Sequence, residues 1–280
     1  MIKVISTGLH TSIQDFGRFG FRDQGIPVSG AMDHQSMEMA NHILENDPNA
    51  PVLEYVLKGP ELFFDQNTYI VLTGAVGECT LDGNKIGPYK RVFVRKNSVL
   101  KIGHARKGMY GYIGFRNGIK MKKILNSASH YSPLTPDFAL KNGDTFKTGK
   151  QDKLPSTFTK IGYAEKEEKK IPAFKGPEFY FLSESSREKI LHTEFIVDKS
   201  SNRMSLQLNH GESIEGGEIV TSPVRPGTVQ VSPSGKIMVL MRDAQTTGGY
   251  SRVLKLPDES INKIAQKRPG QKLQFDLLNN

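Results

Sequence analysis

At 280 residues, with 37% hydrophobic and 24% charged residues, the chain can bury a sizeable core in one or two domains and is too apolar for a disordered segment. Its 38 basic and 29 acidic side chains give a formal net charge of +9. The lysines are spread along the whole length without an aromatic-interleaved basic cluster, which argues against a nucleic-acid partner and for a solvated basic surface; attraction to anionic substrates or to an acidic partner protein stays open. No apolar run approaches the roughly 20 residues that span a bilayer. Cys79 is the single cysteine, so no intramolecular disulfide forms, and the first five residues lack the apolar core of a signal peptide. The expectation is a cytoplasmic protein with neither membrane nor nucleic acid as a partner.

In chain order, residues 2–5 read as a first strand ending at Thr7-Gly8. The stretch from Gln14 to Asp33 is punctuated by Gly17, Gly20, Gly25 and Gly30 and carries Asp15, Arg18, Arg22, Asp23 and Asp33 on irregular backbone. Such a loop is either a functional segment aimed by a scaffold or a long solvated connection. Asp33 is placed to cap a helix whose Met37, Ala40, Ile43 and Leu44 recur at helical spacing, and Asn46-Asp47-Pro48 stops it. The apolar strand 52–57 follows, with Glu54 in its middle. Pointing inward, that carboxylate would need a proton or an arginine such as Arg18 or Arg22, because an unpaired buried charge costs several kcal/mol. Pointing outward, it would mean nothing.

Short β segments then succeed one another at 61–65, 69–73, 78–81, 91–95, 99–102 and 109–115, with Asp82-Gly83 as a tight turn and 74–77 as a bend. This rhythm predicts a barrel or sandwich. Residues 150–175 are charge-rich and poor in aliphatics, which places a domain boundary there: an N-terminal domain over 1–155, a linker over 156–176 and a C-terminal domain over 177–280. A weak internal repeat supports two similar halves. Arg95-Lys96-Asn97 is echoed by Lys141-Asn142-Gly143 about 45 residues on, and Arg225-Pro226-Gly227 by Arg268-Pro269-Gly270 about 43 residues on.

In the second half the pattern predicts a strand at 178–182, a short helix at 186–192, strands at 195–198, from Arg203 and at 237–241, a helix capped by Asp258 and running to Gln266, and a last strand through Leu273 and Phe275. Directly after the 237–241 strand comes Asp243-Ala244-Gln245-Thr246-Thr247-Gly248-Gly249-Tyr250. Two hydroxyls, an amide and a diglycine after a strand can offer donors to carboxylate or phosphate oxygens; a polar hairpin turn has the same composition.

The seven histidines are scattered without metal-ligand spacing, there is no Gly-x-Ser-x-Gly elbow, and Cys79 has no basic neighbour to activate it. No metal site and no covalent nucleophile are expected. The remaining polar set, Asp15, Arg18, Asp33, Glu54, Arg203, Gln245, Thr246 and Thr247, suits binding and stabilising an anionic acyl or phosphoryl group.

The ordered string Gln14-Asp15-x-Gly17-Arg18-x-Gly20, Gly25-x-Pro27-x-Ser29-Gly30-Ala31-Met32-Asp33, Ser36, Ala40-Asn41 and Leu53-Glu54 resembles the opening of the allophanate hydrolase subunit 2 family, also described as the 5-oxoprolinase C subunits or the biotin-dependent carboxyltransferase family. The 243–250 run is a second match, and Asn202-Arg203-Met204 a third, with Ser205 where relatives carry glycine. The resemblance implies a mainly β fold with a few short helices, built as two tandem cyclophilin-like β-barrel domains. It implies Arg18, Glu54 and Arg203 as catalytic, and Asp15, Asp33, Gln245, Thr246, Thr247, Gly248 and Gly249 as substrate-binding. Its activity would be that of the C component of a 5-oxoprolinase complex, which hydrolyses 5-oxo-L-proline to L-glutamate with ATP and Mg²⁺. Its partners would be homologues of the 5-oxoprolinase A and B subunits, and it would be inactive alone. Two alternatives follow from the same likeness: a carboxyltransferase component of urea or allophanate metabolism that uses biotin, and a non-catalytic antagonist of a kinase-inhibitor protein of the same operon. Lys120-Met121-Lys122 is not a biotin-carrier motif. Two segments depart from the family pattern: Asn126-Ser127-Ala128-Ser129-His130, which lacks an expected arginine and paired glycines, and Leu182-Ser183-Glu184-Ser185.

Overall fold

The structure, a computed structural model, describes residues 1–149 and 169–278. Those residues form 20 strands and three α-helices, a mainly β protein as expected. They divide into two compact units, one of residues 1–18 and 33–149, the other of residues 19–32 and 169–278. The glycine-punctuated stretch is therefore split: Asp15 and Arg18 belong to the first unit, and Arg22, Ser29 and Gly30 to the second. Residues 156–168 of the expected linker lie outside the described residues. Lys170–Lys175, assigned to the same linker, is a strand of the second unit and pairs in parallel with Lys272–Leu277.

In the first unit, one sheet has the strand order Ile119–Lys120, Thr145–Thr148, Ile2–Ser6, Glu61–Phe64, Val99–Ala105, Gly77–Leu81 and Asn84–Ile86. The other runs Thr11–Gln14, Val52–Val56, Tyr110–Phe115, Thr68–Gly74 and Val92–Val94. Alternate residues of both sheets meet in one core, among them Ile2, Val4, Leu62, Phe64 and Leu100 from the first and Leu53, Tyr55, Ile70, Leu72, Ile113 and Phe115 from the second. Tyr55 sets a local requirement: a Cβ on Gly111 would fall 2.2 Å from its ring, so only glycine fits opposite it. The helix His34–Ile43 buries Ala40, Ile43 and the following Leu44 against Val71 and Tyr89. Asp33 caps it as expected, its Oδ1 accepting from the Ser36 amide at 3.1 Å, an arrangement worth about 1 kcal/mol.

In the second unit, Lys170–Lys175 pairs with Lys272–Leu277 on one side and with the end of Thr247–Lys255 on the other. The ring continues through Phe195–Val197, Ser205–Asn209, Ile237–Leu240 and Thr228–Val231 back to Thr247–Lys255, so the sheet closes on itself. Closure satisfies both edges of these strands and leaves Glu218–Pro223 as an added strand on the first half of Thr247–Lys255. The helix Asp258–Ala265 buries Ile261, Ile264 and Ala265. Among the described residues no helix is long and apolar enough to cross a membrane.

Several elements differ from the sequence reading. Residues 178–182 are not a strand: the Phe179 amide bonds back to Gly176 O at 3.2 Å, and Phe179–Phe181 forms a 3₁₀ turn that leaves Tyr180 and Phe181 exposed. An aromatic run carries β propensity, but Gly176-Pro177 turns the chain before pairing begins. Asp258 does not cap its helix. Pro257 occupies that position, and the Asp258 carboxylate instead takes an ion pair from Arg242 at 3.0 Å. Residues 247–249 are not a hairpin turn but the opening of a nine-residue strand.

Candidate functional site

The first unit gathers four of the expected site residues in its interior. Asp15 is fully buried, and both of its carboxylate oxygens are engaged. Oδ1 accepts from Gly17 N at 2.8 Å and from the hydroxyls of Ser127 and Ser129 at 2.6 Å each; Oδ2 accepts from Ala128 N at 2.7 Å. The segment that departs from the family pattern is thus folded around Asp15 by its serines. Arg18 is the largest fully buried side chain, and its Nη2 donates to the carbonyl of the same Ser129. Asp15 and Arg18 therefore grip one short segment from two sides.

Glu54 points inward and is 2% exposed. Its Oε2 accepts from the Tyr112 hydroxyl at 2.7 Å, across the strand pair in which Tyr112 faces Glu54. The same hydroxyl accepts from the Asp33 amide at 2.8 Å. Asp33, Tyr112 and Glu54 form a continuous buried relay of hydrogen bonds. Burial and the neighbouring Glu54 and Asp33 carboxylates push the Tyr112 phenol well above its ordinary range, which fixes it as a neutral donor. Tyr112 escaped the sequence reading because one tyrosine in an apolar strand carries no motif. The cross-strand register that places it opposite Glu54 appears only on folding.

The second unit organises a different group. Arg203 forks onto Asp243, with Nε to Oδ2 at 2.7 Å and Nη2 to Oδ1 at 3.1 Å, and Nη2 also donates to Gly30 O at 2.6 Å. Ser29 donates its hydroxyl to Asp243 Oδ1 at 2.8 Å and its amide to Arg242 O at 2.9 Å. Ser29 holds a positive φ of 61°, and Gly30 follows at 95°. The strained Ser29 is held in place by Asp243, which takes its hydroxyl, and Gly30 by Arg203. Of the 245–249 run, Thr246 O accepts from Val224 N at 2.9 Å and from Arg22 Nη2 at 3.4 Å, while Thr247 is exposed and Gln245, Gly248 and Gly249 are half-buried. A Cβ on Gly248 would come within 2.8 Å of the Gln230 amide nitrogen, so a side chain there would displace the end of Gln230. A second fork, Arg252 to Glu178 at 2.6 and 2.9 Å, draws the Glu178 carboxyl below its ordinary value.

Cys79 is buried and its thiol is pushed up to about 12 by burial, so it is no nucleophile. His130 is pushed down by burial, against Asp137 and with help from Arg18, and is neutral at pH 7. Among the described residues no group of three or more His, Cys, Asp or Glu side chains is arranged to hold a metal.

A barrel-like mainly β scaffold, buried carboxylates engaged in hydrogen bonds and a Gln-Thr-Thr-Gly-Gly run opening a barrel strand define a class with known members. The family described as the carboxyltransferase domain, subdomain A and B, matches residues 24–277, and the chain belongs to it. Within it, the chain is similar to the 5-oxoprolinase C subunit of Escherichia coli (strain K12), 32% identical over 98% of this chain and 90% of that protein. It is also similar to the urea amidolyase of Saccharomyces cerevisiae, 30% identical over 98% of this chain but 16% of that protein. Among solved structures, the crystal structure of TTHA0988 superimposes with a TM-score of 0.90 at 26% identity, covering 98% of this chain; this chain spans 56% of that one.

Proposed function

We propose that this chain is the C component of a 5-oxoprolinase, which hydrolyses 5-oxo-L-proline to L-glutamate at the expense of ATP together with homologues of the 5-oxoprolinase A and B subunits. The observation that carries the reading is its likeness to 5-oxoprolinase C subunits along nearly the whole of both chains. Likeness to the urea amidolyase is confined to a sixth of that larger protein.

In this reading Arg18 and Arg203 act as positioning residues, holding the backbone at Ser129 and at Gly30, and Glu54, through Tyr112, fixes the backbone at Asp33. Asp15 shapes the segment 127–129, and the Gln245–Gly249 run, half-buried except for the exposed Thr247, presents polar groups at the head of its strand. Mg²⁺ would enter with the nucleotide, since no cluster of ligands awaits it among the described residues. Biotin would be used only under the carboxyltransferase alternative, which the urea amidolyase likeness keeps in play.

The deciding experiment measures ATP-dependent release of glutamate from 5-oxoproline by the chain alone and with its cognate A and B subunits. Turnover in the full mixture and none with the chain alone is the expected result. A stable complex with the cognate B protein and no turnover would replace this reading by the regulatory one.

A further inference from the structure

Three cations of the second unit converge on one turn. Arg22 Nη2 and the Val224 amide share the Thr246 carbonyl, at 3.4 and 2.9 Å. Two residues on, the Pro226 carbonyl accepts from Lys255 Nζ. Arg225 lies between these two anchor points, its amide at 3.3 Å from the Thr228 hydroxyl and its side chain exposed. Thr228 in turn pairs with Lys255 across the strands. The turn is fixed from below by Gly227, at φ 84°, whose amide bonds Leu240 O and whose carbonyl receives Leu256 N, both at 2.7 Å. A side chain there would strike Leu256 O at 2.7 Å.

None of Arg22, Arg225 and Lys255 has a carboxylate within ion-pair distance among the described residues. Asp258, whose carboxylate acts on Lys255, is paired with Arg242 at 3.0 Å, which brings a fourth cation into the neighbourhood. Asp23, next to Arg22 on the same 3₁₀ turn, is exposed. Burial and like-charge repulsion both disfavour the protonated forms of these groups. Lys255 is pushed down to about 8, first by burial and then by Arg225, Arg22 and Arg242, with Asp258 opposing. Arg22 is pushed down by burial and then by Arg225. A cluster of that kind is stabilised when an anion supplies the missing charge.

We propose that Arg22, Arg225 and Lys255 form a binding site for a doubly charged oxyanion, the phosphoryl group of a small-molecule ligand. Two guanidinium forks and one ammonium match the geometry of tetrahedral oxygens better than a planar carboxylate, and a dianion comes closer to neutralising three charges than a monoanion does. The site gives a joint purpose to Arg22 of the glycine-rich stretch and to the Gln-Thr-Thr-Gly-Gly run, whose Thr246 carbonyl aims Arg22. It stands whether or not the chain is part of a 5-oxoprolinase, because the chain alone carries every group in it.

The test is calorimetric titration of the whole chain with sulfate and with pyrophosphate at fixed ionic strength in chloride, with acetate as the monoanion. Saturable binding of both multiply charged anions is expected, with acetate weaker. Arg225→Gln, whose exposed side chain has little packing to lose, and Lys255→Met should each weaken sulfate binding about ten-fold or more, as loss of a charge-assisted hydrogen bond requires. Lys85→Gln, which removes one exposed charge from the first unit, should leave it unchanged. No saturable binding of sulfate or pyrophosphate, acetate binding as tightly as sulfate, or an Arg225→Gln affinity equal to that of the unsubstituted chain would overturn the assignment. If Lys255→Met fails to fold, Arg225→Gln decides alone.

Discussion

The Tyr112 hydroxyl donates to Glu54 Oε2 at 2.7 Å while it holds the Asp33 amide at 2.8 Å, so one phenol ties a buried carboxylate to the residue that caps the helix His34–Ile43. Tyr112→Phe keeps the ring and deletes only that oxygen. A donor and an acceptor then lose a partner in a place water does not reach, which costs about 1–3 kcal/mol. The expected outcome is a lower midpoint in urea with unchanged slope, and faster hydrogen exchange at the Asp33 amide than at the amides of the Val52–Val56 strand. An Asp33 amide as protected as before would show that the relay does not hold the cap.

Arg203 and Asp243 make a second test, because both side chains are almost wholly buried, at 11% and 5% exposure. Removing one partner of a buried pair strands the other charge, at a cost of about 3–5 kcal/mol. Arg203→Met should therefore destabilise the protein strongly. Arg203→Lys retains the charge but cannot reach both carboxylate oxygens and Gly30 O together, and should fall between. Thermal unfolding of the two variants checks the order; an Arg203→Lys midpoint equal to that of the unsubstituted protein would mean that charge alone, not the fork, holds residues 29–30.

How far the sequence carried the reading depends on the range of the interaction. Helix spacing and the Asp33 cap are local, and both appear in the structure where the pattern put them. The inward direction of Glu54 was one of two options open to a strand residue, and its observed hydroxyl partner, Tyr112, lies 58 positions away. The polar, four-residue strand Thr11–Gln14 has no alternation to betray it, since all four side chains are buried. Glu218–Pro223 fails for the opposite reason: its Val220 is 90% exposed on an added edge strand, so no buried face marks it. The Asp15 cradle could be half-read from Ser127 and Ser129, which were visible only as a departure from a family pattern. The fork of Arg203 onto Asp243 joins two quoted motifs, but nothing in either string shows that they meet.

Acid should act through Glu178. Its carboxyl is drawn below the ordinary 4.5 chiefly by the Arg252 hydrogen bonds, so the folded state holds its proton less tightly than the unfolded chain. The resulting stability is complete above about pH 4.5 and is lost as pH falls through the lower folded value. Glu178→Gln should lower stability at pH 7 and flatten its decline below pH 4.5, measured by urea unfolding at a series of pH values. A decline as steep as that of the unsubstituted protein would assign acid sensitivity to other carboxylates.

Alkali should act through Lys255. The ammonium is pushed down to about 8 from an ordinary 10.5, first by burial and then by Arg225, Arg22 and Arg242, with Asp258 opposing. Between those values the unfolded chain carries a proton that the folded chain has released, so this group makes stability rise with pH across that window. Oxyanion binding runs the other way. It needs the ammonium, so sulfate, which stays a dianion throughout, should bind with constant affinity below about pH 8 and progressively more weakly above it. Bound sulfate should in turn raise the Lys255 pKa, since each process favours the same protonated form. Calorimetry with sulfate from pH 6 to 10 reads the first effect, and NMR titration of the Lys255 side chain with and without sulfate reads the second. Lys255→Met should abolish the alkaline loss of affinity while binding more weakly at every pH below it. A profile that falls identically in Lys255→Met would move the titrating group elsewhere.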